Sequence, residues 1–163
     1  MKRNKNKLVG VNLGGWIVLE KWITPSLFEE TEAEDEFNLL KSGKKVKVEE
    51  HYQNFINEED FKFLADTGIN AIRIPVGYWL FGNQKPYLKT VNYLDFAFEM
   101  ANKYGFKVLV DLHGAPGSQN GYDHSGKVGE IGWDKHEKNV LETLDIIKKI
   151  SKRYCKNKSL FGI

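Results

Sequence analysis

Three apolar runs, each turning polar at its carboxyl end and each followed by residues of helical character, restrict most tightly what this chain can fold into. The first is Leu8-Val9-Gly10-Val11-Asn12-Leu13, closed by Gly14-Gly15; the second is Asn70-Ala71-Ile72-Arg73-Ile74-Pro75-Val76; the third is Lys107-Val108-Leu109-Val110-Asp111-Leu112-His113. The first, closed by a tight turn, reads as a buried strand, and the other two read as strands as well. Pro75 falls near the end of its run, where a missing ladder donor matters least. Leu160-Phe161-Gly162-Ile163 reads as the start of a fourth strand.

Helix signals fill the intervals. Thr24-Pro25 offers an N-cap with proline at the first helical position, and Ser26 with Glu29 makes a competing capping box. A helix is therefore predicted from this point, with the acidic stretch Glu29 to Glu36 on its exposed first half and an end near Ser42-Gly43-Lys44-Lys45. Asn57, followed by Glu58, Glu59 and Asp60, starts another helix that Gly68 stops. Leu94, Ala97, Phe98 and Ala101 recur at helical spacing between Tyr93 and Tyr104, and Gly105 supplies the C-terminal stop. Val140, Leu141, Leu144, Ile147 and Ile150 mark a long helix from His136 to Tyr154. Between the third strand and that helix lies a glycine-rich loop, Gly114 to Gly126, of a length that is usually functional.

Strands alternating with helices imply parallel pairing through crossovers, hence an α/β fold, as a doubly wound sheet or a (β/α)8 barrel. Two features favour the barrel: no G-x-G-x-x-G turn follows the first strand, and polar residues gather at the carboxyl ends of all three strands. A complete barrel needs about 250 residues. The 163 residues present hold about three βα units and the start of strand four, one partial TIM-barrel domain over 1–163 with no linker or repeat.

Composition narrows the chemistry. The 24 basic and 22 acidic residues leave a net charge of +2, too small a field to indicate nucleic acid or an anionic membrane as partner. No stretch approaches the roughly 18 apolar residues of a membrane span. The basic start, Met1 to Lys7, meets Asn12 before any cleavage site, so no signal peptide is read and a cytoplasmic location is expected. Cys155 stands alone, and His51, His113, His124 and His136 share no ligand spacing, so neither a metal nor another cofactor is expected. Aromatic residues make up 13% of the chain, several beside glycine-rich turns where flat faces suit sugar rings. Phe61, Phe63, Phe96, Phe98 and Phe106 are assigned to the core or an interface instead.

The polar groups at the strand ends are Asn12 and Glu20, then Arg73, then His113 with Asp123 and His124. Arg73 cannot lose its charge, so its guanidinium either forms a buried ion pair, with Asp111 or Glu20, or reaches a polar cleft. His113 either donates a hydrogen bond to a sugar hydroxyl over the barrel mouth or is packed and bonded to backbone. Asp111, two residues earlier on the same strand face, suits the orienting of neighbours.

These residues sit within longer motifs. Gly10-Val11-Asn12-Leu13-Gly14-Gly15-Trp16, continuing through Leu19-Glu20 to Trp22-Ile23-Thr24-Pro25-Ser26-Leu27-Phe28, resembles the opening of the exo-β-1,3-glucanase group of glycoside hydrolase family 5. So do Ile72-Arg73-Ile74-Pro75-Val76-Gly77-Tyr78-Trp79 and Asp111-Leu112-His113-Gly114-Ala115-Pro116-Gly117-Ser118-Gln119-Asn120-Gly121. The resemblance covers nearly the whole chain and is weakest between Glu30 and Gln53.

It implies a (β/α)8 barrel that cleaves β-glucosidic bonds with retention, using an acid/base and a nucleophilic glutamate roughly 5 Å apart. In the family the acid/base follows asparagine in Asn-Glu-Pro at the end of strand four, and the nucleophile ends strand seven. No Asn-Glu-Pro occurs in this chain, so the resemblance gives it no catalytic residue and the chain by itself is expected to be inactive. Arg73 then maps to the arginine that supports the ionised nucleophile, His113 to a sugar-hydroxyl contact, and Glu20 to an acceptor for the terminal glucose. Tyr122 stands where the group carries a phenylalanine lining the entrance, Trp22 where it carries a tyrosine, and His124, beside Asp123, where it carries an asparagine. The implied partner is a β-glucan or gluco-oligosaccharide. The alternative is a non-catalytic oligosaccharide-binding or self-assembling partial barrel, since strands one and four would leave open edges for self-association.

Overall fold

The computed structural model describes residues 7–129 and 131–163; the basic start, which bears on the reading of no signal peptide, lies almost wholly outside them. Four strands form one sheet, all parallel: β1 (Gly10–Asn12), β2 (Ala71–Gly77), β3 (Lys107–Gly114) and β4 (Leu160–Gly162). Their spatial order follows chain order, β1-β2-β3-β4. Winding that never reverses is the order of a barrel; a doubly wound sheet has a switch point where the order turns back. The fold is therefore part of a (β/α)8 barrel.

Side chains alternate across β2 and β3. Ile72, Ile74, Val76, Val108 and Val110 are fully buried towards the helices, whereas Arg73, Leu109, Asp111 and His113 point to the other, inner face. On the inner side Leu109 stays exposed, because the face of a barrel strand is covered by strands across the axis and four strands do not reach that far round.

Pro75 fits through the geometry of the ladder. Leu13 N–H donates to Arg73 O at 2.9 Å, so Arg73 directs its backbone groups to the β1 side. Pro75, two residues on, faces the same side just after β1 has left the sheet at its last pair, Asn12 with Arg73. Its missing N–H therefore deprives no partner.

Around the sheet lie α1 (Glu36–Lys41), α2 (Lys45–Asn54), α3 (Glu58–Thr67), α4 (Val91–Tyr104) and α5 (Glu137–Tyr154). Helix α3 starts as read: Asn57 Oδ1 accepts from Glu59 N–H, and Asp60 returns a bond from Asn57 N–H, completing a capping box. Gly68 and Gly105 end α3 and α4 in left-handed conformation, with φ of 86° and 80°. Phe61 of α3 meets Phe96 and Phe106 edge-on, and Phe98 of α4 stacks on Tyr154 of α5 at 4.1 Å.

Four expectations need correction. The helix predicted from Thr24 is a single 3-10 turn at Pro25–Leu27; Thr24 makes no side-chain cap, its hydroxyl bonding back to Glu20 O at 3.4 Å. The chain then runs irregularly until Asp35 caps α1, accepting from Asn38 N–H at 2.7 Å. The polar segment near Ser42 is followed at once by α2, which buries only Val48 and Tyr52, one row too narrow to register as periodicity. Helix α5 turns Asn139, Thr143, Ile146, Ile150 and Tyr154 inward, leaving Leu141 and Leu144 56% and 57% exposed. Phe63, assigned to the core, is 67% exposed.

Trp79, just beyond β2, is fully buried and stacks on Tyr87 at 4.1 Å with planes 9° apart. Glycines make this room: a Cβ on Gly77 would stand 2.3 Å from the indole, and one on Gly126 2.4 Å. Gly105 has open space instead, although its φ is positive. Gly77→Ala should therefore cost roughly 1–3 kcal/mol by overpacking, and Gly105→Ala only about 1 kcal/mol. Urea unfolding of the two variants checks this order.

Candidate functional site

Parallel register carries polar side chains from three strands to one place. Arg73 pairs with Asn12 across β1–β2, and Pro75 with Asp111 across β2–β3. Arg73 sits on the inner face, and its guanidinium donates to Asn12 Oδ1 at 2.8 Å through Nη1 and to Asp111 Oδ2 at 2.6 Å through Nη2. The same Asp111 oxygen lies 2.7 Å from His113 Nδ1. One carboxylate oxygen thus holds both the arginine and the histidine.

This resolves the alternatives for Arg73. Its ion-pair partner is Asp111, not Glu20, yet its side chain keeps 37% exposure, so it is both paired and open to the cleft. A guanidinium has five N–H donors and the two bonds use two of them, leaving others for a ligand. For His113 the distance to a carboxylate oxygen requires the proton on Nδ1. The 3.2 Å approach of Arg73 Nη2 to that nitrogen is then two donors converging on one acceptor rather than a bond between them. In its neutral form the ring then has a lone pair at Nε2 able to accept from a hydroxyl.

Glu20 comes from the turn that follows β1. Its residue is buried to 7% exposure, Oε1 accepts from Gly15 N–H at 3.2 Å, and Oε2 accepts from Trp22 Nε1–H at 3.1 Å. Glu20 and the Asn12–Arg73 pair border one small space: a side chain begun on Gly14 would meet Asn12 Nδ2 at 2.8 Å and Glu20 Oε1 at 3.1 Å. Gly14 keeps that space clear.

The remaining predicted residues stand on the loop after β3 and close the other flank. His124 lies with its ring 5.0 Å from that of His113 and 5.7 Å from that of Tyr122. Asn120 Nδ2 stands 2.7 Å from His124 Nε2, in hydrogen-bond contact that fixes the ring. Asp123 Oδ2 accepts from Lys21 N–H at 3.3 Å, which ties this loop to the turn bearing Glu20. Trp22 and Tyr122, 74% and 65% exposed, line the same open cleft with Lys21, Pro25 and Asp123. All seven predicted residues therefore belong to one contiguous region at the carboxyl ends of the strands.

Other residues also matter. Asn12, already one of the strand-end polar groups, holds Arg73 directly. Gln119 clamps the loop, donating to His113 O at 2.5 Å and accepting from Ala115 N–H at 3.0 Å. Behind Glu20, Glu36 is buried and accepts from Leu19 N–H at 3.0 Å and from Tyr52 O–H at 2.7 Å. Nothing in its acidic neighbourhood distinguished Glu36 from surface charge. Burial pushes its carboxyl up to about 7, with Asp35 adding in the same direction and the bonds from Tyr52 and Leu19 opposing it. Trp79 also favours the charged form, although its indole N–H makes no hydrogen bond.

Comparison with known proteins identifies the family. The chain is 46% identical over 159 residues to the glucan 1,3-beta-glucosidase of Pichia angusta, covering 91% of this chain and 37% of that protein. It is 42% identical over 163 residues to glucan 1,3-beta-glucosidase 1 of Schizosaccharomyces pombe, covering 93% and 40%. The chain thus spans about two fifths of the length of these relatives. Among solved structures, the rutinosidase from Aspergillus niger superposes with a TM-score of 0.87 at 25% identity over 96% of this chain and 47% of that one. The family profile of Cellulase (glycosyl hydrolase family 5) matches residues 33–163. On sequence, fold and the arrangement of strand-end residues together, the chain belongs to glycoside hydrolase family 5.

Proposed function

We propose that this chain provides the glucose-binding half of a retaining β-glucan hydrolase acting on β-1,3-glucosidic bonds, and that alone it binds gluco-oligosaccharide without cutting it. The observation that carries this reading is the single Asp111 oxygen holding Arg73 and His113 over the strand ends, with Glu20 facing the same space. The names of the relatives, glucan 1,3-beta-glucosidases, support the linkage.

Each residue then has a task set by its hydrogen-bonding capacity. Glu20 accepts from sugar hydroxyls, since its oxygens have lone pairs beyond those used by Gly15 and Trp22. His113 accepts a hydroxyl proton at Nε2. Arg73 contributes a fixed positive charge, which in a complete barrel lowers the cost of an ionised glutamate opposite it. Trp22 and Tyr122 offer flat apolar faces to pyranose rings. In the family both partners of a double displacement are glutamates at the ends of strands four and seven, so the residues here are assigned to binding.

The non-catalytic alternative, a binding module in its own right, draws on the two exposed aromatic rims. It makes the same binding prediction and differs in what complementation yields. Calorimetric titration with laminaritriose should show saturable binding and no released glucose. His113→Ala should weaken binding about tenfold by leaving a hydroxyl unpaired. Mixing the chain with a polypeptide carrying the remaining strands and both glutamates should restore laminarin hydrolysis. A folded complex that binds but does not cut would favour the binding module, and no binding at all would end both readings.

The open sheet also has a consequence for assembly. Among the described residues, β1 and β4 pair on one side only, and Leu109, Phe161 and Ile163 are exposed near the β4 edge. Such an edge and face favour self-association of the 163-residue chain. Light scattering should therefore report oligomers, and a stable monomer would contradict this.

A further inference from the structure

We infer that Glu36, which touches no substrate, is a positioning residue whose ionised carboxylate fixes the Val18–Leu19 peptide and thereby the direction of the neighbouring Glu20 carboxylate. This rests on the binding reading above. Glu36 and Tyr52 are both buried, at 0% and 1% exposure. Through them and their neighbours, α1 and α2 hold the whole turn after β1. Trp16 Nε1–H donates to Tyr52 O at 2.9 Å, His51 Nε2 lies 2.7 Å from Gly15 O, and Leu19 N–H reaches Glu36 Oε2. What the turn presents at its end is Glu20, which closes it again by accepting from Gly15 N–H.

The choice of a carboxylate here is physically costly. Two neutral donors serve it and the nearest charge is that of Asp35, also negative. A glutamine would fit the same pair of contacts, accepting from Leu19 and donating to the Tyr52 hydroxyl oxygen, without the cost of burying a charge. What the amide would lose is strength, because a hydrogen bond to an ionised acceptor is roughly twice as strong as a neutral one.

The groups facing Glu36 come from several elements. Asp35 adjoins it on its own helix, Tyr52 comes from α2, Tyr78, Trp79 and Tyr87 from the segment after β2, Tyr93 of α4 packs against Tyr52 at 5.6 Å, and the His51 ring lies 6.1 Å from that of Tyr52. None is a lysine or arginine. Burial also lowers the His51 proton affinity below its ordinary value, so that ring is neutral through the upper part of the range in which Glu36 titrates.

The sign of the linkage separates positioning from stability. The folded value of Glu36, about 7, lies above the ordinary 4.5. Its contribution to stability is therefore complete below 4.5 and is lost as pH rises through about 7. Its hold on the Glu20 turn runs the other way, strongest once the carboxyl is ionised. Stability and binding should thus change in opposite directions across neutral pH.

Laminaritriose titrations between about pH 6 and pH 8, with the Leu19 amide followed by NMR over the same range, test this. In the wild-type chain affinity should rise about fivefold from the acid to the alkaline end, from replacing a neutral by a charge-assisted bond. The Leu19 amide shift should move with a midpoint near 7. Glu36→Gln should match the wild type at the acid end, stay there as pH rises, and melt no lower than wild type at the alkaline end. Tyr52→Phe, which deletes one donor, should move the Leu19 midpoint upward and serves as the test if Glu36→Gln does not fold. A Leu19 amide that does not titrate, or a Glu36→Gln chain with the wild-type pH slope, overturns the inference. If the wild-type chain binds no sugar at any pH, the binding reading fails, while the Leu19 titration still decides the role of Glu36.

Discussion

One oxygen atom organises the polar end of this sheet. Asp111 Oδ2 accepts from Arg73 at 2.6 Å and from His113 at 2.7 Å, so the charge of the arginine, the tautomer of the histidine and the orientation of both are set together. A guanidinium brought to the inner face of a strand has to be neutralised or hydrated, and a half-exposed pairing does both. Because Asp111 and His113 are two residues apart on β3, the strand's own period places them on one face.

Behind this polar layer stands a second one that never meets solvent. Asp35 and Glu36 begin α1 and bind in different directions. Asp35 caps its own helix and accepts from Val128 N–H at 2.8 Å on the loop after β3, whereas Glu36 accepts from Leu19 on the turn after β1. Adjacent acids thus tie together the two loops that carry Glu20 and Trp22 on one side and Tyr122 to His124 on the other. The indole of Trp79, seated against Gly77, Gly114 and Gly126, fills the space between these loops and the sheet. Loop placement here is a matter of buried hydrogen bonds and one large ring.

Elsewhere the fold leaves apolar surface uncovered. Leu141 and Leu144 on α5, Leu109 on β3 and Phe161 on β4 are exposed. Leu109 lies on the inner face, which strands across the axis would cover in a complete barrel. The composition of β2 and β3 suits a closed barrel, and four strands supply only part of one.

Local physics was legible in the sequence. The apolar runs marked all four strands, Asn57 with Asp60 marked the start of α3, and Gly68 and Gly105 marked two helix ends, because each depends on residues a few positions apart. The strand-end set of Glu20, Arg73 and His113 could be picked out for the same reason: polar groups closing apolar strands are visible without coordinates. Partnership across the chain was not. Arg73 chose Asp111 over Glu20 through a register 38 residues long, and His113 took its proton on Nδ1 because of that choice. Glu36 looked like one more surface acid in an acidic stretch, and Leu141 and Leu144 looked like core. Burial decided each of these, and burial is a property of how elements pack. Sequence fixes which groups are available and on which face of a strand they stand; only tertiary packing decides which of them lose water, and with it which charges must find a partner.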